Sequence, residues 1–250
     1  MILVTLTALG VGLATVLGAI LGLILKNFTQ KFSKIFLAFA GGIMLSASIF
    51  GLILPSLELG GDYSLIITIL GIFVGAICLN LIDKATPHLH KMIGVDIEEH
   101  KSTSLNKVLL FVIAIAIHNF PEGIAAGVGF GADDQTYGIL IAISIALQNI
   151  PEGMVIIAPM INSGVSKKKT FLIASLTGLI EVIGTFIGYF AVKIASVILP
   201  FALAFAGGTM LYVVSDEMIP ETHSDGNKRG VTYSLLLGFC FMLVLDVLLG

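Results

Sequence analysis

The stretch Ala116-Ile117-His118-Asn119-Phe120-Pro121-Glu122-Gly123 returns thirty residues later as Ala146-Leu147-Gln148-Asn149-Ile150-Pro151-Glu152-Gly153. Each copy sets a ligand-grade side chain, a proline and a carboxylate inside a run otherwise apolar enough to cross a bilayer. An ionisable side chain at membrane depth costs about 2.5–3.5 kcal/mol on insertion, so it is a functional candidate by default. Two copies with the same internal spacing point to a cation held within the membrane.

The surrounding chain fits that setting. It has 250 residues, 57% hydrophobic and 12% charged, with mean hydropathy +1.06. No soluble domain of this length hides so much apolar surface, so the class is an all-α polytopic membrane protein. Eight apolar segments fall at about 3–25, 34–55, 64–82, 107–130, 136–161, 169–191, 194–218 and 231–249, most of them the ~20 residues needed to cross a bilayer. Residues 1–250 then form one membrane domain, whose single long connection runs over about 83–106. Cys78 and Cys240 both sit in expected spans, too few for a disulfide or zinc-finger framework. No G-x-x-x-x-G-K-[ST] occurs, so nothing points to ATP as a driving force.

Charge placement orients the spans. Twelve of the thirteen Lys and Arg lie in alternate connections: Lys26, Lys31 and Lys34; Lys84, Lys91, Lys101 and Lys107; Lys167, Lys168 and Lys169; Lys228 and Arg229. Only Lys193 falls elsewhere, most simply as a snorkelling residue at a span end. The positive-inside rule puts those four connections in the cytoplasm and both termini outside a cell (inner or plasma) membrane. The first apolar stretch has no basic residue before it and is expected to remain as a span. Glu58, Asp62, Asp133 and Asp134 make the outer connections mildly acidic; they either concentrate cations or form a solvated rim.

A second repetition relates the two ends of the chain. Leu37-Ala38-Phe39-Ala40-Gly41-Gly42-Ile43-Met44-Leu45 recurs as Leu203-Ala204-Phe205-Ala206-Gly207-Gly208-Thr209-Met210-Leu211. With eight spans, the second segment runs outward and the seventh inward, so the repeat is inverted. It relates segments one to three with six to eight around a central pair, four and five. Transporters use that symmetry to build alternately open states around one site. Close packing alone explains the small residues, but not eight matches in nine positions.

The central pair carries the chemistry. Residues three or four apart share a helix face, so His118 and Asn119 stand over Glu122, and Gln148 and Asn149 over Glu152. Pro121 and Pro151 each remove a helical N–H, freeing the carbonyls of Ile117 and Leu147. The one imidazole suits zinc, iron, nickel and copper, and the two carboxylates and three amides extend the range toward manganese and cobalt. Glu181, mid-way along the sixth segment, has no basic neighbour in sequence, so a bound cation is its natural partner; a protonated Glu181 bonded to a neighbouring helix is the alternative.

The doubled H-N-x-P-E-G motif on adjacent spans, eight segments and a basic middle connection resemble the ZIP (Zrt/Irt-like) divalent-metal transporters over essentially the whole chain. The resemblance implies a binuclear site with His118, Glu122, Gln148 and Glu152 around one metal. Asn119, Glu122, Asn149, Glu152 and Glu181 would hold the other. Met44 matches a methionine bordering the first position. Gln148 departs from the commonest pattern, which has histidine there, and that weakens exclusive preference for zinc. The implied cargo is Zn2+ together with Fe2+, Mn2+, Co2+ or Cd2+, with no prosthetic group, no catalytic residue and no nucleic-acid partner. The resemblance further implies a homodimer in the lipid bilayer, in which segments one, four, five and six move against the other four.

Other polar positions stay open between two readings. Asp216, Glu217, Glu221 and His223 resemble release-path residues of the family, or simply end a helix in solvent. His88, His90 and His100, with Asp96, Glu98 and Glu99, either bind metal loosely or belong to a plain linker. Asp246 is placed to line an outer entrance. A membrane-embedded metal hydrolase would need an activated water, but H-E-x-x-H is absent. A proton-coupled carrier of an organic solute would leave His118 and the paired amides without a role.

Overall fold

In lipid, a spanning segment must satisfy its own backbone hydrogen bonds, which leaves the helix as the solution for a single apolar run. The computed structural model describes residues 1–25, 30–92, 104–131, 135–162, 164–223 and 228–249. Among these the ordered elements are all helical. Helix α1 covers Ile2–Ile24, α2 Gln30–Ser46, α3 Leu54–Leu59, α4 Ser64–Met92 and α5 Ser104–Gly129. Then come α6 (Gln135–Asn162), α7 (Lys167–Ile194), α8 (Leu199–Val213), α9 (Ile219–His223) and α10 (Lys228–Leu249). Two π-helical stretches, Ala47–Ile53 and Val214–Met218, join α2 to α3 and α8 to α9. Seven helical stretches among the described residues are long and apolar enough to span a membrane. Helix α5, 26 residues long, occupies the fourth expected segment. The protein is therefore a multi-pass membrane protein.

The segment limits shift where proline acts. The second segment runs on through a π turn to Leu59, with Pro55 in the first turn of α3, where no N–H donor is needed. The seventh begins at Leu199 rather than near 194, with Pro200 again in the first turn. Helix α4 continues past the expected limit near Ile82 to Met92, because hydropathy marks the membrane edge and not the end of hydrogen bonding. His88 and His90 thus fall within α4, while Asp96, Glu98, Glu99, His100, Asp133 and Asp134 lie outside the described residues.

The long helices pack in two sets. Helix α1 lies against α6 and α7, and α5 against α7; α2 lies against α10, and α4 against α8. Contacts of α2 with α6 and of α5 with α8 join the sets. Buried apolar residues at the join include Ile43, Met44, Ile141, Ile145, Leu203 and Met210. Backbones approach closely at small residues, as membrane helices do where no water drives their association. A Cβ on Gly12 of α1 would sit 2.6 Å from the Gly178 carbonyl oxygen of α7. The outward faces stay apolar: Leu65, Ile66, Ile69 and Phe73 of α4 are exposed, as a lipid-facing surface requires.

Candidate metal site

Helices α5 and α6 run through Pro121 and Pro151 without a break and present the two motifs to each other's neighbourhood. All seven polar site residues expected from the sequence are buried: His118, Asn119, Glu122, Gln148, Asn149, Glu152 and Glu181. Burying so many polar groups away from water is unfavourable unless each finds a partner. Several do not. Both oxygens of Glu122, both polar side-chain atoms of Gln148, and the Oδ1 atoms of Asn119 and Asn149 are buried without a hydrogen-bond partner.

Glu181 does find partners. Its carboxylate accepts from Thr15 Oγ1 at 2.9 Å, from Asn119 Nδ2 and from Asn149 Nδ2. Four helices, α1, α5, α6 and α7, therefore meet at one buried carboxyl group. Asn149 Nδ2 also lies 3.2 Å from the carbonyl oxygen of Val11. Thr15 carried no signal in the sequence: one threonine in an apolar helix is unremarkable, and its partner lies 166 positions away.

His118, Glu122 and Glu152 face a cavity of about 410 Å3 whose wall continues through Glu217, Asp216 and Glu221. Asp216 and Glu221 are exposed, so the cavity links the buried carboxylates to one surface. His118 Nε2 lies 2.5 Å from Glu217 Oε1, a contact between the two helix sets. Met44 is fully buried in the core and is not on the cavity wall. His223 turns instead to Ile219 and Thr232, with Nδ1 2.9 Å from the Ile219 carbonyl oxygen. Asp246 and Glu58 share a separate cavity of about 250 Å3 with Tyr137 and Pro55. Lys193 lies 5.5 Å from the Tyr189 ring centroid at the end of α7.

The donor set decides what this centre can hold. Among the described residues, no three acidic, imidazole or thiol side chains converge as a ready-made metal cage. The buried groups gathered here are three amides beside three carboxyl groups and one imidazole. Such mixed oxygen and nitrogen ligation is borderline in softness and accommodates several divalent ions.

A multi-pass helical protein that buries three carboxyl and three amide side chains on α5, α6 and α7, several of their atoms unpartnered, has the groups to hold a cation. Residues 94–246 match the family described as ZIP Zinc transporter. The chain is 38% identical over 245 residues to the zinc transporter GufA of Myxococcus xanthus, covering 96% of each. It is 36% identical over 248 residues to the zinc transporter ZupT of Chlorobaculum parvum, covering 93% of this chain and 92% of the relative. Zinc transporter ZIPB of Bordetella bronchiseptica shares 35% identity over 249 residues, covering 95% of this chain and 78% of the relative. This chain belongs to the ZIP zinc transporter family, a family of transporters and not of enzymes.

Proposed function

We propose that this protein carries zinc and related divalent cations across the membrane into the cytoplasm, through a binuclear site between α5, α6 and α7. The observation that carries the proposal is the Glu122 carboxylate, buried to 1% exposure with neither oxygen partnered. A charge in that position is tolerable when a cation neutralises it. His118, Gln148 and Glu152 complete the first position with Glu122. Asn119, Asn149 and Glu181 frame the second, sharing Glu122 and Glu152. Metal binds these groups in their deprotonated forms, so protons compete with cargo and uptake falls on external acidification.

Two features favour alternating access. The cavity from Glu122 and Glu152 reaches Asp216 and Glu221, which precede the basic connection at Lys228 and Arg229. With that connection cytoplasmic, the cavity is the inward exit. The inverted repeat is supported by packing partners that exchange between halves: α1 pairs with α6 as α7 pairs with α5, and α2 with α10 as α8 with α4. Gly42 meets the Leu235 carbonyl, and its counterpart Gly208 meets that of Ile72. Helices α1, α5, α6 and α7 would then move as one body against the rest, within a homodimer. Zinc influx into proteoliposomes, with Mn2+, Fe2+, Co2+ and Cd2+ as competitors, is the test. Saturable influx is expected, and influx no faster than into protein-free liposomes would overturn the proposal.

A further inference from the structure

Helix α3 is only six residues long, set between the π-helical stretch Ala47–Ile53 and a turn at Gly60 and Gly61, where Gly61 takes φ +61°. So short a helix forms few hydrogen bonds of its own and depends on its surroundings for its position. Ser56 supplies an anchor. Its Oγ lies 2.7 Å from the carbonyl oxygen of Pro200 in α8 and 2.7 Å from Thr68 Oγ1 of α4. A carbonyl only accepts, so the Ser56 hydroxyl donates to Pro200. Its one proton is then committed, and Thr68 is the donor to Ser56. Both hydroxyls are buried, Ser56 at 0% and Thr68 at 2% exposure, where a lost donor is not replaced by bulk water. The residue before Ser56 and the second after it, Pro55 and Glu58, wall the cavity of about 250 Å3, with Asp246 of α10 and Tyr137 and Leu140 of α6. That cavity lies at the ends of α6 and α10 remote from Lys167 and Lys228.

We propose that Ser56 and Thr68 are positioning residues for zinc entry: the relay from Thr68 through Ser56 to Pro200 pins α3 to α4 and α8, and so fixes where Glu58 stands in this cavity. The proposal rests on the reading above, in which cargo enters from the side opposite the basic connections. Carboxylates facing one partly enclosed cavity raise the local concentration of divalent cations, and the gain depends on their being held toward it. Neither Ser56 nor Thr68 lines the cavity, so both act through Glu58 and touch no cargo. Helix α3 packs on α4 and α8, whereas the facing wall comes from α6, which packs with α1. The relay thus makes one wall rigid and leaves the opposite wall to the other helix set. It governs the capture of zinc and not the later steps at Glu122 and Glu152.

Initial rates of zinc uptake by intact cells expressing the full-length chain, normalised to the protein in the membrane, test this. Thr68→Val keeps the shape of threonine and loses the O–H. It is expected to raise KM about threefold with the maximal rate unchanged, a partial loss of the field of one carboxylate. Thr68→Ser keeps the donor and is expected to match wild type. Glu58→Gln, at an exposed position where folding is not at stake, is expected to raise KM about tenfold. Because Thr68 acts through Glu58, Thr68→Val is expected to add nothing to KM in the Glu58→Gln background. A role confined to holding helices together would lower the amount of folded protein and leave KM alone in both backgrounds. Should the valine variant not reach the membrane, Thr68→Cys, a weaker donor, takes its place with the same pair of expectations. Wild-type KM in the Thr68 variant or in Glu58→Gln, or an equal rise on top of Glu58→Gln, overturns the proposal and leaves the transport reading standing. A wild-type protein that takes up no zinc overturns both.

Discussion

Gln148 stands in α6 where His118 stands in α5, and both its polar atoms are buried without a partner. Its amide offers a neutral oxygen where an imidazole would offer a nitrogen favoured by zinc over manganese. Gln148→His is therefore expected to raise the zinc-to-manganese preference roughly tenfold, about 1.4 kcal/mol. Competition between the two ions for uptake measures it, and an unchanged ratio would mean that residue 148 does not touch cargo. At this scale the doubled motif was legible, because six ligand-type side chains at matching spacing only burden a span that meets nothing but lipid. Thr15 was not legible, and neither was the meeting of His118 with Glu217. Both contacts join side chains about a hundred positions or more apart, and each depends on which helices become neighbours. Single polar residues carry no record of that in an apolar sequence.

The elements follow hydropathy in number and order, but their ends follow hydrogen bonding. The π stretches at Ala47–Ile53 and Val214–Met218 left no mark on the apolar pattern, since widening a helix changes its bonding register and not its composition. Each stands just ahead of a proline, Pro55 or Pro220, and those prolines were the available signal. The helix pairs themselves depend on missing side chains. Any Cβ on Gly42 would collide with the Leu235 carbonyl of α10, whereas Gly10 of α1 has nothing within 4 Å of the same position. Gly42→Ala is expected to cost about 1–3 kcal/mol through overpacking, and Gly10→Ala to be near neutral. Thermal unfolding of both variants in one detergent makes the comparison. Equal melting temperatures would contradict the close α2–α10 contact.

For the whole molecule, the sequence supplied its class and its charge asymmetry, and the family resemblance set segments one, four, five and six against the other four; packing groups α1, α5, α6 and α7, with α2 against α10 and α4 against α8. Inward transport requires that the basic connections face the cytoplasm. Glu58 near the end of α3 and Lys168 in the first turn of α7 are both exposed, at helix ends assigned to opposite sides. In a background with Cys78 and Cys240 replaced by serine, cysteine substituted for Glu58 is expected to react with an impermeant maleimide in intact cells. Cysteine substituted for Lys168 is expected to remain unlabelled; the opposite pattern would reverse the direction of transport. The claim beneath all of this is that divalent cations pass through the centre walled by Glu122 and Glu152. Zinc uptake by Glu152→Ala in proteoliposomes tests it most directly, with correct folding checked by gel filtration. Loss of uptake to the protein-free background is the expected result, and uptake at the wild-type rate would contradict the assignment of the site.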